Sequence, residues 1–105
     1  MIQVVSIFNF DTTKKSLEEW EKYYTDKYIH DLRKAPGLAR YIIGKTLKMG
    51  HADGTYYRVA TLFYEDMAAF QRASSSPEGR DAARMMQEMA PNSNLYIIDA
   101  QEVEP

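Results

Sequence analysis

The sequence predicts an α+β domain in which four antiparallel strands form one sheet and the helices lie on one face of it. Two observations predict this fold class. Four apolar stretches follow the two-residue period of strands, and the segments that separate the first from the second and the third from the fourth follow the helical period. The order strand, helix, strand, strand, broken helix, strand is the split βαβ or ferredoxin-like arrangement.

The first strand is predicted at residues 2–10, IQVVSIFNF, which carry apolar side chains on both faces. Such a strand is typical of a sheet that is covered on two sides. The first helix is predicted at about 17–34. Ser16 and Glu19 form a capping box at its start. The Pro-Gly pair at 36–37 ends it, because proline disfavours helical dihedrals in the residue before it and glycine accepts a positive φ.

The second and third strands are predicted at 38–49 and 55–64, joined by the turn-rich residues 50–54. These segments form a β-hairpin. Side chains in a strand point alternately to the two faces of a sheet, so Tyr41 and Arg58 reach a pocket under the helices only if their alternation faces that side.

The second helical region is predicted in two pieces. Asp66 can cap the first piece, and Ser76 can cap the second, with Pro77 at the first helical position. The second piece is expected to run to about Met89. Residues 95–100 then form the fourth strand, before a charged C-terminal tail.

Composition and charge argue against several classes of protein. A chain of 105 residues forms one domain, 1–105, and a net charge of −2 with dispersed Lys and Arg argues against nucleic acid as a partner. The chain has no cysteine, which excludes thiol chemistry. It has two histidines, and their spacing is not that of a metal site. We expect no cofactor. No signal segment or membrane-spanning apolar run is recognisable, so we expect a cytoplasmic protein with no membrane partner.

The predicted sheet needs a second cover. Helices lie on one face only, yet the first and third strands are apolar on both faces. Exposed apolar surface of this extent favours association. We therefore expect a homodimer that pairs two sheets through their open faces.

Aromatic and ionisable residues are concentrated between residues 20 and 41. At roughly 100° per residue, Trp20, Tyr24, Tyr28 and Asp31 fall on one side of the first helix. Buried phenols and carboxylates need hydrogen-bonding partners. This helix face should therefore meet either an internal polar network or a ligand.

Four pieces of the chain resemble the EthD family of the dimeric α/β-barrel superfamily, and together they cover about nine-tenths of the sequence. They are YY at 23–24, PGLARY at 36–41, YRVATLF at 57–63, and DMAAF at 66–70 followed by SPEGR at 76–80. The resemblance implies a dimeric α/β barrel. The superfamily includes cofactor-free monooxygenases and cyclases acting on polycyclic phenols, muconolactone-type isomerases, haem-degrading enzymes and regulatory ligand-binding domains, so the fold alone does not choose an activity.

The chain departs from the family at one functional position. The resemblance implies a His-x-Pro-Leu motif late in the first helix, eight residues before the Pro of Pro-Gly-Leu. Tyr28 stands at the histidine position, His30 at the proline and Asp31 at the leucine. Tyr41 matches a tyrosine that isomerase relatives carry after Pro-Gly-Leu.

Together with the resemblance, these residues predict a cofactor-free proton transfer on a planar aromatic, phenolic or lactone metabolite. A phenol with its ordinary pKa near ~10 is neutral at pH 7 and can polarise a carbonyl. We expect Tyr28 and Tyr41 to hold the substrate oxygen, while Asp31, shielded by aromatic rings, or His30, oriented by Asp26, moves the proton. The predicted substrate-binding residues are Trp20, Tyr24, His51 and Arg58.

Two other interpretations stay open at this point. The protein can be a non-catalytic dimer that binds a small aromatic compound, in which case no product forms. Alternatively, the phenols are core residues with satisfied hydroxyls, and Asp31 and His30 form surface pairs with neighbouring charged residues.

Overall fold

The computed structural model describes residues 1–47 and 56–105. It confirms the predicted α+β fold and the order of the elements. The strands are β1 (Ile2–Phe8), β2 (Arg40–Lys45), β3 (Arg58–Tyr64) and β4 (Asn94–Asp99); the helices are α1, in three consecutive pieces (Leu17–Tyr23, Tyr24–Ile29 and His30–Leu32), α2 (Met67–Ser75) and α3 (Pro77–Met89). β1, β2 and β3 are shorter than predicted, and β4 has the predicted length but begins one residue earlier. The connection predicted at 50–54, which includes His51, lies outside the described residues.

The strands form one antiparallel sheet in the order β2-β3-β1-β4. Val4 in the central strand β1 pairs with Leu62 of β3 on one side and with Ile97 of β4 on the other. Tyr41 of β2 pairs with Leu62 in turn. Residues that are paired in this way point to the same face of a sheet, so this register fixes which side chains meet the helices.

The helix boundaries follow from local sequence, as predicted. The Ser16 hydroxyl accepts a hydrogen bond from the Glu19 amide at 3.1 Å, and the Glu19 carboxylate accepts one from the Ser16 amide at 3.4 Å. Asp66 and Ser76 cap α2 and α3 in the same manner. Gly37 has a φ of 77°, which glycine adopts without strain.

Helix α1 contains a π-helical segment, Tyr24–Ile29, that the sequence analysis did not predict. A π-helix has wider i→i+5 turns, which rotates the residues that follow it relative to an α-helix. The buried residues of α1 accordingly recur every four positions: Trp20, Tyr24, Tyr28 and Leu32. Leu32 therefore takes the inward position that was predicted for Asp31.

The core lies between the helices and one face of the sheet. Along β1 every second residue is buried, from Ile2 to Phe8. The rings of Phe8 and Phe10 pack edge-on against Tyr24, and Phe10 stacks on Trp20. Because these contacts fix the start of α1 against the sheet, they also set the position of the tyrosines that follow.

The opposite face of the sheet carries apolar side chains that no described helix or strand of the protomer covers. The register places there the residues that alternate with the core-facing ones: Val5, Ile7, Ile42, Val59, Phe63, Tyr96 and Ile98. We call this set the open face. Tyr96 is 52% exposed and Ile42 44%.

Among the described residues, no helix is long and apolar enough to cross a membrane.

A phenol-lined cavity as the candidate functional site

A cavity of about 330 Å³ lies between the core-facing side of the sheet and the three helices. Ala60 and Leu62 of β3 form part of its floor, and Tyr28, Phe70 and Met86 line it from α1, α2 and α3. The cavity thus extends beneath α2 and α3 as well as beneath the first helix. Its volume lies at the lower end of the range for small-molecule sites.

Two tyrosines line this cavity, whereas Tyr24 and Tyr41, which were predicted to contact the substrate, do not. Tyr28 and Tyr64 line it directly. The ring of Tyr24 stacks on that of Tyr28, with centroids 5.6 Å apart and planes inclined by 24°. Tyr41 faces the helices, as its pairing with Leu62 requires. Of these four phenols, helix α1 therefore carries two and the sheet carries two.

Burial raises the pKa of each of these phenols. It raises the pKa of Tyr24 to about 12, and it is also the largest cause of the raised pKa values of Tyr28, Tyr41 and Tyr64. The neighbouring phenols raise the pKa values of Tyr28 and Tyr41 further. A phenol is already neutral at physiological pH, and these shifts make all four still harder to ionise, so they act as hydrogen-bond donors or acids rather than bases.

The hydroxyls of Tyr24 and Tyr41 are both buried, and neither makes a hydrogen bond with a described residue. The two phenols are close enough for Tyr41 to lower the pKa of Tyr24, although burial and the charges of Arg58 and Glu21 act on it more strongly. Their geometry nevertheless falls short of a hydrogen bond. Each phenol oxygen can donate and accept, so a small movement would let one hydroxyl bond to the other.

Arg58 is held by a carboxylate that the sequence analysis did not single out. Its guanidinium forms a two-point ion pair with Glu21, one hydrogen bond of which, from Nε to Oε1, measures 3.0 Å. Tyr56 donates a further hydrogen bond of 2.5 Å to Glu21. The guanidinium lies 5.3 Å from the centre of the Tyr24 ring. Arg58 was predicted to bind substrate; the structure places it beside the phenols, with its charge paired to Glu21.

Replacing Glu21 by Gln should destabilise the protein by roughly 1–2 kcal/mol at pH 7, because Arg58 loses a charged partner. Burial would raise the pKa of Glu21, but hydrogen bonds from Arg58 and Tyr56 outweigh it and lower that pKa. The pair therefore stabilises the protein fully above the ordinary glutamate pKa of ~4.3, and this stability is lost as the pH falls through the lower folded-state pKa. Urea unfolding between pH 7 and 2.5 measures the difference.

The control is Glu88→Gln, which removes a half-exposed carboxylate paired with Arg84 at 3.5 Å. An exposed pair of this kind contributes little. If Glu21→Gln and Glu88→Gln lower the free energy of unfolding equally at pH 7, and equally again at pH 2.5, the Glu21–Arg58 pair does not fasten α1 to the sheet.

The structure does not bring Asp31 and His30 into the cavity. The Asp31 carboxylate pairs with Lys27 at 3.3 Å and retains 27% of its side-chain exposure, so the predicted shielding by aromatic rings is wrong. The His30 ring nitrogen Nε2 lies 3.3 Å from the Lys34 ammonium nitrogen, on the outer side of the helix. The predicted proton-transfer partners are therefore apart from the phenols.

Trp20 is a core residue. It is 2% exposed, and its indole N–H donates to the backbone carbonyl of Asp11 at 2.8 Å. It does not line the cavity, although it was predicted to contact substrate. Its contribution to the site is indirect, because its packing fixes the helix turn before Tyr24.

Tyr64 and Ser6 are cavity residues that the sequence analysis missed. The signal for Tyr64 was present, since it alternates in phase with Arg58 along the third strand. Ser6 is buried between apolar neighbours in β1 and pairs with Ala60. Its inward position becomes visible only when the phase of the whole strand is fixed.

The described lining of the cavity is apolar apart from neutral polar groups. It contains no carboxylate, imidazole, ammonium or guanidinium among the residues that the structure describes. Among all the described residues, no group of three or more His, Asp or Glu residues is arranged to hold a metal ion. The chemistry available from these residues is therefore hydrogen-bond donation by phenols in an environment of low polarity.

The sequence model of the EthD domain matches residues 13–90 of this chain. A crystal structure of an EthD family protein from Bacillus halodurans superposes with a TM-score of 0.79 at 19% identity, covering 96% of this chain and 99% of that one. A dimeric ferredoxin-like protein of unknown function from Thermobifida fusca gives a TM-score of 0.70 at 20% identity, with 92% and 88% covered.

The proteins that share this fold include one described as an enzyme. SnoaB, a cofactor-independent oxygenase from Streptomyces nogalater, superposes with a TM-score of 0.69 at 19% identity, over 99% of this chain and 96% of that one. At this identity the likeness establishes the fold and leaves the reaction open.

Proposed function

The chain belongs to the EthD family, and on that basis we propose that it binds a planar metabolite bearing a carbonyl or phenol oxygen in the cavity of each protomer. The observation that carries this proposal is the pairing of an apolar cavity with two lining phenols, Tyr28 and Tyr64, whose pKa values burial raises above the ordinary value. Apolar walls with a few convergent polar groups are typical of small-molecule sites.

The proposed reaction is cofactor-free chemistry at the carbon next to a substrate carbonyl, or at a ring carbon conjugated with a phenol oxygen, as in an isomerisation, cyclisation or decarboxylation, or in an oxygenation that consumes molecular oxygen. Such reactions pass through an enolate or phenolate. A phenol in a site of low polarity can donate a hydrogen bond to the oxygen as its negative charge develops, which stabilises the transition state. Among the described cavity residues we assign no base, because none carries a carboxylate or imidazole.

We propose that the active assembly is a homodimer formed through the open face. The apolar residues exposed there, such as Ile42 and Tyr96, support this assembly. The Thermobifida fusca protein of the same fold is described as dimeric. Two twisted sheets can pack face to face with their side chains interleaved.

A second candidate function is binding without catalysis. It is favoured by the absence of an ionised group from the described cavity lining. A binding protein needs the same apolar walls and hydrogen-bond donors, but it needs no proton acceptor. The two functions differ in whether a bound compound is converted into product.

The test begins with a screen of aromatic ketones, lactones and phenols beside hydrocarbons of the same shape. Binding is followed by the rise in melting temperature, and product by mass spectrometry after long incubation. The proposal requires that oxygen-bearing compounds are preferred. An equal response to the hydrocarbons would reject the phenols as binding groups, and saturable binding without product would select the non-catalytic function.

For a compound that is converted, Tyr28→Phe should lower kcat/KM by ~100-fold, because one hydrogen bond to the developing oxyanion is lost. The change keeps the ring and removes only the hydroxyl. Tyr23→Phe is the matched control, since Tyr23 is in the same helix but its ring packs against Trp20 and beneath Lys15, outside the cavity. Equal turnover in the two variants would contradict the role of Tyr28.

A further inference from the structure

Ser6 places a hydroxyl in the floor of the cavity, at a position where the neighbouring residues of the sheet are apolar. It is 6% exposed and lies in the central strand β1, between the core-facing residues Val4 and Phe8. Its partners in the adjacent strands are Ala60 and Leu95, and both of them line the cavity with it. Alanine would fill the same position, so packing alone does not require a hydroxyl there.

The hydroxyls of Ser6 and Tyr64 are open to the cavity and unpaired. No side-chain hydrogen bond joins either residue to another described residue, and yet their oxygens are not sealed away as those of Tyr24 and Tyr41 are. Tyr64 is 4% exposed, and it lines the cavity as Ser6 does. A buried hydroxyl without a partner lowers stability. A ligand oxygen that enters the cavity and reaches either hydroxyl therefore gains a hydrogen bond.

These two hydroxyls lie toward opposite ends of the cavity. Ser6 pairs with Ala60, which precedes Tyr64 by four residues in β3. Four residues of a strand span ~13 Å. Because side chains stand roughly perpendicular to a sheet, the two hydroxyls are on the order of 10 Å apart. The lining residues of α3 fall between 79 and 87 and cover a similar length, ~12 Å.

The lining between the two ends suits a flat apolar body. Leu62 lies between Ala60 and Tyr64 in the floor, and Ala73 and Ala82 face it from α2 and α3. Small side chains on the helices leave the space that a planar ring system occupies. At the far end, the Tyr64 ring packs edge-on against Phe70, with centroids 5.4 Å apart, which limits where its hydroxyl can lie.

Resting on the proposed function, we infer that Ser6 and Tyr64 bind two oxygens at opposite ends of the ligand. The protein then selects planar compounds that carry an oxygen at each end over compounds that carry only one, because a single oxygen leaves one of the two hydroxyls unpaired. A serine hydroxyl donates and accepts. The oxygen at the Ser6 end can accordingly belong to a carbonyl or to a hydroxyl group.

The test uses 6-hydroxy-1-tetralone, whose carbonyl and hydroxyl oxygens lie at opposite ends of a bicyclic skeleton. It is compared with 1-tetralone and 6-hydroxytetralin, which each keep one of these oxygens. Isothermal titration in slightly acidic buffer, which keeps the phenol of the ligand neutral, should show about 5-fold tighter binding of the two-oxygen compound to the wild-type protein, since it makes one additional hydrogen bond.

Ser6→Ala and Tyr64→Phe should each abolish this preference, because only one hydroxyl then remains for the ligand. The two one-oxygen compounds should keep their affinity within about 2-fold, since each can turn its oxygen toward the remaining hydroxyl. The matched control is Ser74→Ala. Ser74 also lines the cavity, but its hydroxyl already donates to the Phe70 carbonyl at 3.0 Å, so this change should leave the preference intact.

A stability measurement separates ligand binding from a structural role of Ser6. The ligand-free Ser6→Ala protein should melt at the same temperature as the wild-type protein or higher, because it no longer buries an unpaired hydroxyl. A lower melting temperature with an unchanged preference would assign Ser6 to the packing of the sheet and overturn its role in binding. The comparison of the three compounds on the wild-type protein requires no variant, so it decides even if a variant misfolds.

The outcomes also separate this inference from the proposed function. Equal binding of the three compounds to the wild-type protein overturns the inference, while the cavity stays a ligand site. A preference that persists in Ser6→Ala shows that this hydroxyl binds only water and overturns the inference as well. If none of the three compounds binds, the proposed function fails for this class of ligand, and the inference fails with it.

Discussion

Replacing Val5 by Lys is expected to convert the proposed homodimer into monomers, raising the dimer Kd by at least ~1,000-fold. Val5 lies on the central strand β1, near the middle of the open face, between Thr61 and Tyr96. Burying an unpaired ammonium there costs several kcal/mol, and two-fold symmetry places the change twice in one interface. A tenfold change in Kd corresponds to ~1.4 kcal/mol, so the free-energy cost of burying both charges corresponds to more than a ~1,000-fold rise in Kd.

Sedimentation equilibrium over a wide concentration range measures this Kd. Gln71→Lys is the control, because it adds the same charge at an exposed position on α2, which packs on the other side of the sheet. A folded Val5→Lys protein that stays dimeric at high dilution would show that the open face is not the interface. A wild-type protein that is folded and monomeric would contradict the homodimer itself.

Replacing Gly79 by Ala is expected to lower the free energy of unfolding by about 3 kcal/mol, near the upper end of the usual cost of overpacking. A Cβ at Gly79 would lie 2.1 Å from the carbonyl oxygen of Ala73 and 2.9 Å from that of Ser74. Both are backbone atoms at the end of α2, so rotation of a side chain cannot relieve the clash. The junction is further fixed by Ser76, whose hydroxyl donates to the Ala73 carbonyl and accepts from the Gly79 amide.

Gly44→Ala is the matched control, because a Cβ there meets no described atom of the protomer within 4 Å. Its effect on stability should stay within about 0.5 kcal/mol, as for other exposed substitutions. Urea unfolding of both variants makes the comparison. Since Gly79 also lines the cavity, a Gly79→Ala protein as stable as Gly44→Ala would mean that α2 and α3 are not held as closely as the structure has them.

The elements that depend on neighbouring residues could be predicted from the sequence. The capping box of Ser16 and Glu19, the positive φ of Gly37 and the helix break at Ser76 each follow from the chemistry of two or three adjacent residues. The alternation of β1 and β3 also fixed the phase of the sheet. These signals are local, and together with the order of the elements they determine the fold.

The inward position of Asp31 was predicted wrongly because α1 is not a regular α-helix. Residues four apart drift by roughly 40° per step on an α-helix, so a strict spacing of four in Trp20, Tyr24, Tyr28 and Leu32 indicates a wider turn. The π-helical segment Tyr24–Ile29 provides that turn. The spacing was visible in the sequence, but its consequence depends on how tightly the aromatic rings pack against β1.

The contacts that complete the site could not be predicted, since they join distant parts of the chain. Glu21 and Arg58 carry no local signal that they meet, although both lie near Tyr24 in the fold. Tyr24 and Tyr41 converge only because the pairing of β2 with β3 turns Tyr41 toward α1. The pairing of strands that brings these residues together can be determined only from the structure.

The central claim is that the cavity between the sheet and the helices is the ligand site, and methionine methyl resonances test it most directly. Met86 lines the cavity, whereas Met67 is 43% exposed and does not line it. The protein is labelled at its methionine methyls, and Met86→Leu assigns the Met86 signal. Titration with 1-tetralone, a bicyclic aromatic ketone, should shift the Met86 signal and leave that of Met67 in place. A saturable shift of Met67 with Met86 unmoved would place the ligand elsewhere and contradict the claim.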